Sequence, residues 1–136
     1  MKRTLINSFD GSYDRPLTGY IVTVFKVVFI LAMSLIIYES LIAANSSPAL
    51  NHFDKIVHFV AYFALVVLGL CAFPKAHMGW IVGTMIVLGA GLEAAQGLMG
   101  LGRSASFGDL IANTLGAVFP ACLWGVFIRL TTSPEA

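Results

Sequence analysis

Charge is what this sequence has least of: Asp, Glu, Lys and Arg make up 11% of its 136 residues, against roughly 25% in soluble domains. Too little charge is left to solvate the surface of a soluble domain of this size. Cysteine is nearly absent, with only Cys71 and Cys122. Neither sits in a CxxC pair or near histidine at ligand spacing, which excludes a disulfide framework and a thiolate metal centre. Both read as small apolar core residues. The net charge is +1 and no basic run is long enough for nucleic acid. Repeats, low-complexity tracts and interdomain linkers are also missing.

In place of charge the chain carries long apolar runs, with 58% hydrophobic residues and a mean hydropathy of +0.87. A spanning helix needs ~20 mostly apolar residues. Segments 20–44, 55–73, 77–99 and 108–130 qualify. The expected fold is all-α, an integral membrane four-helix bundle with short connecting loops. Residues 1–19 read as a cytoplasmic N-terminal tail, 20–130 as the transmembrane domain and 131–136 as a C-terminal tail. The first segment has basic residues before it and Ala43-Ala44 after it, as a secretory signal would. Its apolar stretch exceeds the ~7–15 residues of a signal core, and it carries Lys26 and Glu39. It reads as a retained anchor.

Lys and Arg placement sets the expected orientation. Lys2, Arg3, Arg15, Lys26, Lys75 and Arg129 fall on the side of the termini, whereas Lys55 and Arg103 fall on the other. This asymmetry places both termini in the cytoplasm. The ends where the first and third helices finish then face the outer leaflet.

That outer end holds most of the polar side chains. Asp54 precedes the apolar run of the second helix as a natural N-cap. His58 and Tyr62 follow at steps of four, so the three share one helical face with Lys55 at its edge. Tyr62 is equally explained as an interfacial aromatic. Glu93 and Gln96 stand one turn apart in the third helix. Glu93 lies too deep to reach water easily, so it must be protonated, paired or in a hydrated cavity. Gly79, Gly83, Gly89 and Gly91 read as sites of close helix packing. His77, beside Lys75 in the second turn, reads as solvated.

The turn before the fourth helix carries Arg103, Ser104 and Ser106, and Asp109 and Asn113 follow inside the helix. Ser106 to Asp109 has the form of a capping box, weakened by Asp in place of Glu. Asn113 reads equally as interhelical glue or as a site residue. Arg103 is either an interfacial anchor or, beside two hydroxyls and a helix N-terminus, an anion contact. The second and fourth helices both start at this end, so two positive dipole ends aim at the cluster. Asp54, Glu93 and Asp109 oppose a free anion unless they pair with cations or share protons. One histidine with scattered carboxylates falls short of zinc ligation, although Mg²⁺ on oxygen ligands stays open. No metal and no cofactor is assigned from the sequence.

The ordered set Asp54-Lys55-x-x-His58-Phe59-x-x-Tyr62, Glu93-x-x-Gln96 and Arg103-Ser104-x-Ser106-x-x-Asp109-x-x-x-Asn113-x-x-Gly116 resembles the VanZ-like family of small bacterial membrane proteins. The likeness covers about residues 50–118, and Glu39 lies outside it. It implies a multi-pass protein of the bacterial inner membrane and cell envelope. The family's namesake confers low-level resistance to the glycopeptide teicoplanin, and other members go with surface-polymer systems. The resemblance supplies no reaction.

Three functions fit these residues. The first is an envelope accessory protein whose outer site binds a polyprenyl-phosphate-linked lipid, another anionic headgroup, or an envelope biosynthesis protein. The second is a membrane enzyme acting on a phosphate-containing group of a polyprenyl lipid. His58 would be base or nucleophile, Glu93 or Asp109 the acid/base, and Arg103 the charge stabiliser. The third is a small proton-coupled exporter, although transporter sites lie nearer the midplane. All three require His58, Glu93, Arg103 and Asp109 to converge.

The orientation is testable without a ligand. Cysteines placed at Asn51 and Gly102, in a chain lacking Cys71 and Cys122, are expected to react with an impermeant thiol reagent in intact spheroplasts. Labelling only after lysis would reverse the topology.

Overall fold

The computed structural model describes residues 14–42, 51–99 and 106–132. They form four helices: α1 (Asp14–Leu41), α2 (Asn51–Ala72), α3 (Met78–Met99) and α4 (Phe107–Thr132). No strand occurs among the described residues. All four helices are long and apolar enough to cross a bilayer. At 1.5 Å per residue, the 22 residues of α2 or α3 extend about 33 Å, close to the ~30 Å of hydrocarbon they would span. The architecture fits a multi-pass membrane protein.

α2 and α4 make the most extensive contact, α1 packs on α2 and α3, and α3 closes against α4. α1 and α4 do not touch among the described residues, so the order around the bundle is α1, α2, α4, α3. α1 is the outermost helix: 6% of its apolar stretch is buried, against 28% in each of the others. The outward faces carry Ile, Leu, Val and Phe, as a surface in contact with lipid tails requires.

Helices in lipid gain little from hiding apolar surface from one another, so close backbone approach and packing decide the contacts. The tightest approach is at Gly116, where a Cβ would collide with the Phe59 carbonyl. Phe59, Phe63 and Phe119 pack around this crossing, with ring centroids 6.0–6.4 Å apart. Pro120 lies one turn on inside α4 and cannot donate a helical hydrogen bond to the Gly116 carbonyl. Below the crossing, Tyr62, Leu65 and Val66 of α2 meet Phe29, Ile81, Met85 and Ala117 in the core.

Several expectations change at the helix ends. α1 begins at Asp14, so part of the expected tail is helical. α2 begins at Asn51, which puts Asp54 in its first turn and not at the N-cap. The polar residues before the apolar run continue the helix, because propensity and not hydropathy limits its start. His77 does more than face solvent: its Nδ1 accepts from the Gly79 N–H at 3.1 Å and caps α3. Cys122 is exposed on α4 and is no core residue; Cys71 is half-buried. Of the four α3 glycines read as packing sites, Gly89 packs closely against other helices, while Gly79 sits beside His77 of its own cap. Gly83 and Gly91 have open space where a Cβ would be.

These differences separate the glycines experimentally. Gly116→Ala is expected to destabilise the bundle by about 1–3 kcal/mol through overpacking. Gly83→Ala is expected to be neutral or to stabilise by about 0.5–1 kcal/mol, since helical Gly is intrinsically unfavourable. Thermal unfolding of the two variants in one detergent reads the contrast directly.

Candidate functional site at the end of the bundle

The polar residues gather where α1 and α3 end and α2 and α4 begin. The organising contact is at the start of α4. Ser106 is the N-cap, with its Oγ accepting from the Asp109 N–H at 3.3 Å. In a full capping box the third helical residue would reach back to the N-cap N–H. Here Glu93 of α3 does that, its Oε2 accepting from the Ser106 N–H at 2.9 Å. A hydrogen bond to a carboxylate is stronger than a neutral one, and it compensates for burying Glu93, which is only 6% exposed.

This exchange leaves the Asp109 carboxylate for another partner. Its Oδ1 stands 3.6 Å from Lys55 Nζ on α2, an ion pair between helices. The Lys55 stem lies across Gly108, where a Cβ would meet Lys55 Cε at 2.5 Å. Oδ1 is buried and accepts no hydrogen bond from any described residue.

His58 sits between two partners. Its Nδ1 lies 2.9 Å from Asn113 Oδ1 on α4, and its Nε2 lies 3.9 Å from Asp54 Oδ2, one turn earlier on α2. With Asn113 presenting oxygen, Nδ1 is the donor and Nε2 is aimed towards Asp54. The stepwise spacing read in the sequence thus places Asp54 and His58 together, and α4 fixes the ring from the other side. Asn113 is buried and bridges the two helices, as the glue reading required.

Tyr62 continues this face inward, and its placement differs from an interfacial aromatic. It is 1% exposed and lies against Gly89 of α3 and, across that glycine, near Asn113. Its hydroxyl finds no hydrogen-bond partner among the described residues. Gln96 points elsewhere: its Nε2 donates to the Ser40 carbonyl at 2.7 Å, tying α3 to the last turn of α1. Glu39, in the same turn of α1, is exposed.

The structure therefore brings together Asp54, Lys55, His58, Ser106, Asp109 and Asn113, with Glu93 joined through Ser106. Tyr62 lies beneath them and Gln96 at a neighbouring helix joint. Arg103 and Ser104 lie outside the described residues. Two participants carried no usable signal in the sequence. The Ser40 carbonyl is a backbone group that any residue supplies, and Gly108 became meaningful only once Lys55 was seen crossing it.

A family model described as VanZ/LLP1 matches residues 6–128, nearly the whole chain. The chain belongs to the VanZ/LLP1 family. The Asp54–Tyr62, Glu93–Gln96 and Arg103–Gly116 segments, which carried the resemblance, all fall within the matched range. In this VanZ/LLP1 protein their described residues also meet at one end of the bundle. No curated protein and no solved structure matches the chain.

The cross-helix cap gives Glu93 a structural task that can be separated from its charge. Glu93→Leu leaves the Ser106 N–H without an acceptor and is expected to cost about 1–3 kcal/mol. Glu93→Gln keeps an acceptor oxygen and is expected to retain most of the thermal stability of the parent in detergent. Equal losses in the two variants would assign the effect to the carboxylate charge.

Proposed function

We propose that this protein is an accessory component of the bacterial cell envelope. It sits in the inner membrane with both termini cytoplasmic and binds the phosphate-bearing headgroup of a membrane lipid from the outer leaflet. The observation that carries this reading is the gradient of exposure within the cluster. Lys55 and Asp54 side chains are 36% and 38% exposed at its rim, while Asp109 and Asn113 are buried behind them. The cluster lies at helix ends, the depth at which headgroups sit. α2 and α4 both direct their N-terminal N–H groups there, favouring negative charge. A lipid-linked sugar phosphate of the envelope is the headgroup class that agrees with the family's glycopeptide and surface-polymer themes.

A second reading, a membrane enzyme acting on such a headgroup, has one observation in its favour. Asn113 orients His58 by accepting from Nδ1–H, which leaves the Nε2 lone pair to take a proton as a general base does. An exporter is supported less, because the polar groups stand at the helix ends and not at the midplane.

Purified protein analysed by native mass spectrometry is expected to retain a phosphate-bearing lipid, and to lose it in Lys55→Ala and Arg103→Ala. Incubation with polyprenyl phosphates and pyrophosphates is expected to give saturable binding without product. Turnover abolished by His58→Ala would establish the enzyme instead. In cells, Glu93→Gln and Arg103→Ala are each expected to abolish the envelope phenotype, read as glycopeptide susceptibility or surface-polymer level, at near-normal membrane abundance. Cys71→Ala is expected to be silent. Full activity in both site variants would make the cluster structural.

A further inference from the structure

The described part of the cluster is richer in acid than an anion site should be. It holds three acids, Asp54, Glu93 and Asp109, and the Glu93 charge is answered by the Ser106 N–H. Asp54, His58 and Asp109 each offer one ligand atom, and these three atoms lie within 4.8 Å of one another. Two ligands bound to one ion at about 2.1 Å stand about 3–4.2 Å apart, and the His58 Nε2–Asp54 Oδ2 separation is 3.9 Å. A small inward movement of Asp109 completes the set.

A second observation points the same way. Asp109 is 8% exposed, and its buried Oδ1 has no hydrogen-bond donor among the described residues. The Lys55 ammonium at 3.6 Å supplies charge at longer than hydrogen-bonding range. A buried carboxylate oxygen without a donor is costly, and a cation coordinated there removes that cost. The Asn113 contact to Nδ1 is the outer partner that metal-bound histidines use to fix ring orientation and direct the other nitrogen to the ion.

We propose that Asp54, His58 and Asp109 hold a divalent cation of the Mn²⁺ class. One imidazole nitrogen and two carboxylates bind the ion, and its remaining positions are open to water or a phosphate oxygen. Lys55 is the competitor for this place. Its ammonium, which lies over Gly108 beside Asp109, swings out to solvent as the ion enters, which its partial exposure permits. The ion neutralises the acids that otherwise oppose an anionic headgroup. That last step rests on the headgroup reading above, whereas the cation site stands on the three ligands alone.

The test uses the full chain in detergent with Mn²⁺ alone, without lipid or phosphate, so its outcome is independent of headgroup binding. Equilibrium dialysis is expected to give one Mn²⁺ per chain, and electron spin-echo spectroscopy to show coupling to an imidazole nitrogen. His58→Ala should abolish that coupling. Asp109→Asn and the half-exposed Asp54→Asn should abolish binding, the latter covering the event that the buried variant does not fold. Asn113→Ala should weaken binding by about tenfold, the usual effect of losing a histidine's outer partner. Lys55→Gln should tighten binding severalfold by removing the competing charge, which a purely structural lysine would not do. Absence of stoichiometric Mn²⁺, or binding unchanged in His58→Ala and both Asp variants, would overturn the site. A cation bound with no lipid retained would keep the cation site and remove the headgroup reading.

Discussion

The first backbone N–H groups of a helix have no partner within it, and near a bilayer's hydrocarbon there is little water to supply one. At the start of α4 that demand is met by residues from two helices. Ser106 caps from within, and Glu93 reaches across from α3 to the Ser106 N–H. Asp is one methylene shorter than Glu, which makes Asp109 the weaker choice for closing its own capping box. With Glu93 in that position, Asp109 is left for Lys55 and for the space beside His58. The polar cluster exists in this form because one helix end is capped by its neighbour.

The same economy appears at the other joints. Gln96 donates to the Ser40 carbonyl at the end of α1, and His77 caps α3 at the opposite end. The Tyr62 hydroxyl has no partner among the described residues, whereas Glu93, Lys55, Asp109 and His58 each meet a helix terminus or another polar group. This is how a chain with so few charges tolerates them inside a membrane-like fold, since an unmatched buried charge would be strongly destabilising. Fixing the polar groups through backbone atoms also fixes their depth, so the site stays in register with the ends of α2 and α4.

Packing holds this arrangement from below. Gly116 lets α4 approach the Phe59 backbone, and Gly89 leaves room for the Tyr62 ring. The first contact brings α2 and α4 together beside the cluster, which sets the distance between His58 and Asn113, and the second seats α3 against Tyr62 and Asn113. Structure and site are therefore coupled: widening the α2–α4 crossing would separate the imidazole from its orienting amide before it disturbed the outer helices.

Four apolar runs of bilayer length, separated by short polar turns, made the fold legible, because hydropathy alone dictates spanning helices. Periodicity also placed Asp54, His58 and Tyr62 on one face, and ordered motifs led to the family. What it could not assign were the partners. Whether Glu93 was paired, protonated or hydrated depended on a backbone N–H thirteen positions later. The Asp54–His58–Asp109 cluster joins two helices, so no spacing along the chain announces it. Nor did any glycine distinguish itself by sequence: Gly116 and Gly83 differ only in what stands opposite, a carbonyl or open space. Sequence determined which segments are long and apolar enough to cross a bilayer, since transfer free energy is a property of each segment. Only the tertiary structure decided which polar groups meet, since pairing depends on the rotation and closest approach of helices distant in the chain.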